Sequence, residues 1–431
     1  MDPITFITAL DWDDLPLDVR QQVKRSLLDL IGVGIAGRKT ALSGIIHAYA
    51  TTEHAGQIRL PFDSASASAS GVALAYGMTI DSIDAHDGFN PAKGHIGCPL
   101  WPAVYALGAQ ATGMELLTTL ALGYEFGARC SIAQHSSVPD YHTSGSWGAV
   151  AAAAAGARLA GLDAVQTRHA LGIAEYHGPR SQMMRVIDHP TMLKDGAGWG
   201  AMCGVSAVRL AASGFTGAPA IIVENARSVW SDLGGRWYLR EQYYKPYPVC
   251  RWAQAPVEAV LALRSAHGLD ADDVDHIEIA TFHEAIRLAT ARPETTEEAQ
   301  YSTSFPVAVA MVRGDVTAED VMPAALSDPH VLRLSEGIVM SEDAGANADF
   351  PLHRKAKVTL HLRNGQRVSS DWTEPKWEHT APPETTALQA KFISYATPVI
   401  GDDRAASIVD AVERLETLPA GALHRLMAVP P

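Results

Sequence analysis

A chain of 431 residues, 47% hydrophobic and only 19% charged, can bury a large core and is not globally disordered. Its formal charge of −14 argues against nucleic acid or an anionic membrane surface as partner, since both reward a basic patch, but leaves room for a small anionic substrate held by a few cations in a cleft. Cys98, Cys130, Cys203 and Cys250 lie far apart with no C-x-x-C pair, which excludes a zinc knuckle and a disulfide framework and reads as reduced thiols.

In chain order, the start, Met1-Asp2-Pro3, lacks the basic-then-apolar layout of a signal peptide. The first helix is expected over 17–36, where Val19, Val23, Leu27, Leu28, Leu30 and Ile31 recur near helical spacing before Gly37 stops the stripe. Further helical runs follow at 71–79, 100–111, 114–133, 146–160, 164–175 and 197–213, several closed by glycines at 113, 161 and 214. The longest apolar run, 148–162, is mostly alanine, carries Arg158 and is too short for a membrane span, so a cytoplasmic protein with no membrane partner is expected. The density of Ala and Gly predicts close helix approach and suits an oligomeric face.

Beyond Gly268 the pattern changes. Residues 273–282 alternate apolar and polar as a strand does, and two alternating runs, 355–363 and 366–372, flank Asn364-Gly365, the signature of a two-residue hairpin turn. Helical spacing returns at 386–395 and 402–415. The fold class predicted is mainly α: an all-helical domain made from both chain ends, 1–264 and 385–431, with a smaller inserted α+β domain at 265–384.

Four segments could carry chemistry. Asp81, Asp84, His86, Asp87, Lys93 and His95 crowd into a stretch that glycines and prolines keep from forming one helix. Such a loop either presents reactive side chains or is a solvated connection with capping aspartates. Tyr141 and His142 precede the alanine-rich helix, at an end that favours anions; the plainer reading is a capping segment with Ser144 or Ser146 as N-cap. Residues 180–195, with Arg185 and Lys194, and 243–252, with Lys245 and Arg251, set basic residues among aromatics, glycines and prolines rather than among other charges. No phosphate-binding or dinucleotide loop, H-E-x-x-H or G-x-S-x-G is present, and the histidines at 86 and 95 or 135 and 142 lack metal-ligand spacing. Neither a cofactor nor a metal is expected.

Taken in order, 23–37, Asp84 to Gly94-His95, Tyr141-His142-Thr143, Met192-Leu193-Lys194 with Gly214-Phe215-Thr216-Gly217, and Lys245-Pro246-Tyr247-Pro248 resemble the MmgE/PrpD family over essentially the whole chain. Its members include 2-methylcitrate dehydratase, cis-aconitate decarboxylase and iminodisuccinate epimerase. The resemblance implies a homodimer with an active site between two domains and no cofactor. Carried over residue by residue, the family's active-site positions fall on Asp84, His95, His142, Lys194 and Lys245, with His86 and Tyr141 as further proton-transfer candidates and Arg185 and Arg251 as further substrate-binding ones. Where the decarboxylase branch has Asp-Phe-Asp-Asp-Thr, this chain reads Asp84-Ala85-His86-Asp87-Gly88; Phe305 aligns with an active-site tyrosine; and Cys250 stands where many relatives place a histidine. A site short of two hydroxyl donors is ill suited to the same decarboxylation. The expected chemistry is therefore abstraction and return of a proton α to a carboxylate, an epimerase acting on a small polycarboxylate such as iminodisuccinate. His142 or Tyr141 would serve one face and Asp84 or His86 the other. A 2-methylcitrate-type dehydratase or cis-aconitate-type decarboxylase is the alternative, and a non-catalytic homologue the alternative of another class.

Overall fold

The computed structural model describes residues 1–288 and 290–429. Helix α1, Leu17–Gly37, buries the stripe seen in the sequence, with Val19, Val23, Leu30 and Ile31 wholly enclosed. It is followed by α2, Ala69–Asp81, α3, Gly97–Leu107, and α4, Gly113–Ser137. Then come α5, Gly145–Leu159, α6, Ala164–His177, the short α7, Met184–Asp188, and α8, Ala197–Ala212. Each helical run read from the sequence has its counterpart. The punctuation differs at Gly113, which closes nothing. It is the first residue of α4, behind Thr112, whose side chain accepts from the Glu115 N–H at 3.1 Å.

Helix α5 lies at the centre, buried from 145 to 157 against α3, α4, α6 and α8. Alanine side chains let four neighbours come close at once, which is why the run is so uniformly small. Its alanines are thus used up inside the chain and present no outer face.

The two-residue strands β1, Gly88–Phe89, and β2, Gln242–Tyr243, pair antiparallel and clamp the 82–96 loop against the 240s. Helix α9 spans Arg251–His267. A four-stranded sheet follows, from β3, Val274–Thr281, β4, Ile338–Glu342, β5, Lys357–Leu362, and β6, Arg367–Ser369, in the order β4-β3-β5-β6. Between β3 and β4, which are parallel, run the short helices α10, Thr296–Gln300, α11, Ser304–Arg313, and α12, Pro329–Glu336. Ile277, Ile279, Val358 and Leu360 form the sheet's inner face and share a core with α9, α11 and α12. At the hairpin, Leu362 N–H donates to the Gln366 carbonyl at 2.8 Å and Gly365 alone has positive φ, 88°. The loop is therefore the three-residue kind, 363–365, with glycine at the left-handed position, and not the two-residue turn expected. Asn364 contributes through its side chain, accepting from the Gln366 N–H at 2.9 Å.

Helices α13, Thr385–Ile400, and α14, Asp402–Glu413, bring the chain back, α13 lying along α1 with Lys391 Nζ 2.6 Å from Asp29 Oδ1. Two large apolar clusters result. One draws on 6–239 and 392–427, with Met322; the other draws on 247–362. The fold is mainly α, and among the described residues no helix is long and apolar enough to cross a membrane.

Candidate active site

Beside a third apolar cluster that includes Met183, Ile187, Cys250, Trp252 and Tyr301 lies a small cavity of about 30 Å³, walled by Asp84 and His95 from the 82–96 loop, Tyr141, Tyr243, Tyr301, and the cations Lys93, Arg251 and Arg354. The backbone here is strained. Asp84, Lys93 and Lys194, at φ of 47°, 53° and 50°, hold left-handed conformations that side-chain-bearing residues seldom adopt, and such strain gathers where surrounding contacts enforce a functional geometry.

Lys245 is fully buried, its Nζ 2.5 Å from Asp84 Oδ1 and 2.8 Å from the Asp84 carbonyl. Burial alone would raise the Asp84 carboxyl, but Lys245 and then Lys194 hold it below its ordinary value. Burial alone would lower the Lys245 amine, and Asp84 carries it above. The pair is ionised. Lys194, also buried, donates to Gln300 Oε1 at 2.6 Å and stands 4.5 Å from the centre of the Tyr301 ring.

His95 is held on three sides. Its N–H donates to Ser144 Oγ at 2.8 Å, its carbonyl accepts from Trp147 Nε1 at 3.0 Å, and its Nδ1 lies 2.5 Å from the Asp87 carbonyl. A carbonyl only accepts, so Nδ1 carries the proton and Nε2, 3.8 Å from Asp84 Oδ1, keeps a lone pair. Burial first, then the neighbouring His86 and Lys245, hold this imidazole well below its usual range. It is neutral at pH 7 and suited to act as a base. Burial pushes Tyr141, Tyr243 and Tyr301 up, so all three keep their protons as potential donors. The Tyr141 hydroxyl donates to the Lys93 carbonyl.

Arg251 stacks 4.1 Å from the centre of the Tyr243 ring and pairs with Glu378 at 2.5 Å; Arg354 donates to Asn90, whose amide donates in turn to Glu378 at 2.9 Å. One carboxylate thus serves two guanidinium groups, with Lys93 nearby, and the wall is left net positive. Asp195 also lines the cavity. It accepts from the N–H of Ser144 at 2.9 Å and from its hydroxyl, and burial followed by the adjacent Asp81 carboxylate push it up to about 8.

Of the residues singled out in the sequence, Asp84, His95, Tyr141 and Arg251 therefore meet on one wall. Lys245 sits beneath Asp84, and Lys194 borders a neighbouring cavity of about 290 Å³ that also takes in Arg185 of α7. His86 lies behind His95, edge to face at 4.2 Å, with its Nε2 3.4 Å from Asp81. His142 is not on the wall either: its Nδ1 faces the Asp140 carbonyl at 2.8 Å, as alternation along an extended segment requires once Tyr141 points inward. Ser144 caps no helix with its side chain, which instead joins Asp195 to His95.

Three readings change. Phe305 is buried in the second core, and the phenol on the wall comes from Tyr301, four residues earlier. At Gly88 a Cβ would come within 2.4 Å of the Tyr243 ring, so the space a threonine side chain would take holds a tyrosine. Tyr243 and Tyr301 thus place two phenols on the cavity wall. The spacing argument against metal at 86 and 95 also fails in three dimensions, since Asp84, His86 and His95 offer ligand atoms within 4.8 Å of one another; Lys245, seated on Asp84, already supplies the cation there. Tyr243 and Asp195 lie within two residues of lysines the sequence did flag, whereas Arg354, between His353 and Lys355 ahead of a strand, gave no signal.

The model of the MmgE/PrpD N-terminal domain matches residues 4–234 and that of the MmgE/PrpD C-terminal domain residues 247–417. The chain belongs to the MmgE/PrpD family. Its relatives within that family include the cis-aconitate decarboxylase-like protein oryM of Aspergillus oryzae, 23% identical with 96% of this chain and 93% of the relative covered. The cis-aconitate decarboxylase of Aspergillus terreus is 23% identical, covering 94% and 91%, and that of Homo sapiens 24%, covering 96% and 91%.

Proposed function

We propose that this member of the MmgE/PrpD family is an epimerase that acts without a cofactor, moving a proton α to a carboxylate of a small polycarboxylate such as iminodisuccinate. The observation that carries the reading is the meeting of an unprotonated base and protonated acids from different parts of the chain in one cation-lined cavity. His95 Nε2 comes from the 82–96 loop, while Tyr301 and Tyr141 come from the 301 and 138–144 segments. Inversion needs one group ready to take a proton and another ready to give one, on opposite faces of the carbon. Asp84, paired with Lys245, keeps the field around Nε2 steady, and Arg251, Arg354 and Lys93 are placed to neutralise substrate carboxylates, without which the α-proton is too weakly acidic to remove.

The two apolar clusters support a helical domain built from both chain ends around an inserted α+β domain, with residues of both walling the cavity. A homodimer through the helical side accords with exposed apolar residues on and around α6 and α8, namely Tyr176, Leu193, Trp199 and Phe215.

A decarboxylase is the second reading, favoured by Tyr301, which puts a phenol on the wall, and by the names of the relatives. Incubation in deuterium oxide with single stereoisomers of iminodisuccinate and related acids, and separately with cis-aconitate, distinguishes the two. Deuterium incorporation with inversion, and no carbon dioxide, supports the epimerase; carbon dioxide release from cis-aconitate without exchange into the other acids replaces it with the decarboxylase.

A further inference from the structure

We propose that the outer face of the sheet carries a binding site for a divalent transition-metal ion, made by His276, Glu278 and His361. Alternation along β3 sends Ile277 and Ile279 to the core and His276 and Glu278 to the opposite face, where His361 of β5 is the direct cross-strand partner of His276. The β3–β5 register shifts between Val274 and His276, and such a bulge re-aims the side chains beside it. Here it stacks the two imidazoles at 4.1 Å and 16° and leaves Asp275 Oδ2 2.9 Å from His276 Nδ1.

Each of the three side chains offers one ligand atom, all within 4.8 Å of one another. Glu278 Oε2 and His361 Nε2 are 3.0 Å apart, yet that nitrogen makes no well-aligned hydrogen bond, a placement that a shared cation satisfies better. The Asp275 carboxylate, bound at Nδ1, fixes the His276 ring and leaves its Nε2 as the ligand, the arrangement in which a second carboxylate orients a metal-bound histidine. Two imidazoles and a carboxylate suit Zn²⁺, Ni²⁺ or Cu²⁺ and not Ca²⁺ or Mg²⁺, which take oxygen ligands. The His276 side chain is 34% exposed and that of Glu278 50%, so a fourth position opens to solvent. Arg367 of β6, the register partner of His361, is an exposed cation that opposes binding, and Arg363 and Arg333 act on Asp275 in the same sense. The cluster at Asp84, His86 and His95 differs in having Lys245 already bound to its carboxylate.

The test uses chelator-treated protein titrated with Zn²⁺ by calorimetry and thermal denaturation. One ion per chain should bind and raise the melting temperature by mass action. Glu278→Gln, at an accessible position that leaves the fold intact, should weaken binding at least about tenfold, and His276→Ala/His361→Ala should abolish it. Turnover of the metal-free variants should equal that of the metal-free parent protein. No binding by the parent protein, binding that survives both variants, or binding lost on His86→Ala and kept in Glu278→Gln would each overturn the assignment.

Discussion

Lys245 and Asp84 are each buried on the strength of the other. Replacing Lys245 by Met strands a carboxylate in the interior and should cost about 3–5 kcal/mol of stability in urea denaturation, much of it recovered when Asp84 becomes Asn as well. A double variant no better than the single one would mean the pair is not mutually dependent. Asp195 behaves oppositely with pH. Its carboxyl is raised from 3.8 to about 8 in the folded chain, so between those values the folded state binds more protons than the unfolded one and stability falls as pH rises. Asp195→Asn should therefore flatten the decline in denaturation midpoint between about pH 5 and pH 8. An equal slope in both proteins would show that Asp195 is ionised in the fold. Tyr301 puts a phenol on the cavity wall four residues before Phe305, which aligns with an active-site tyrosine but lacks its hydroxyl. If its phenol stabilises charge on the reacting carboxylate, Tyr301→Phe should lower kcat about 10²–10³-fold with little change in KM, and Phe305→Tyr should restore none of it.

At the scale of elements, the two-residue ladder of β1 and β2 decides what the 82–96 loop can present. Gly88 and Tyr243 are opposite one another, with no room for a side chain at 88 while the tyrosine ring is in place. Gly88→Thr should thus destabilise by about 1–3 kcal/mol, and Tyr243→Ala should relieve most of that cost; strictly additive effects in thermal denaturation would show that the two do not compete for space. The helices themselves were legible because periodicity is a local property. The bounds of α1 in particular follow the apolar stripe, and the structure adds a capping box of Asp163 and Gln166 at the start of α6. The 363–365 turn was legible in kind but not in length, because Asn-Gly suits either loop and the cross-strand hydrogen bonds decide.

For the molecule as a whole, the cavity of about 30 Å³ has room for about one water molecule and not for a polycarboxylate. Its cover includes Met183 and Ile187, beside and on α7, and Trp252 at the start of α9, with α7 tied to the segment after β3 by the ion pair of Asp188 and Arg287. If the proposed polycarboxylate binds here, these walls would have to part, so hydrogen exchange at 179–195 should slow on adding a bound polycarboxylate inhibitor; unchanged exchange there would place the entrance elsewhere. Trp199→Glu with Phe215→Glu should convert a dimer to a monomer by light scattering, if the proposed face is the right one, with the fold kept because both positions are exposed.

The sequence by itself determined the helical class, the later sheet, the family, and the cluster of acidic, basic and imidazole groups at 81–95, because composition, period and ordered motifs are written along the chain. Only the tertiary structure decided which of those groups share a wall. His86 and His95 are nine residues apart and stack edge to face, yet one reaches the cavity and the other does not; Tyr243, Tyr301 and Arg354 come from distant segments and meet there. The physical reason is that the direction of a side chain depends on the packing of the segment that carries it. A register in a two-residue ladder, an alternation at Tyr141 and His142, and a left-handed residue at Asp84 each turn a side chain toward the cavity or away from it, through contacts with partners that sequence distance does not reveal.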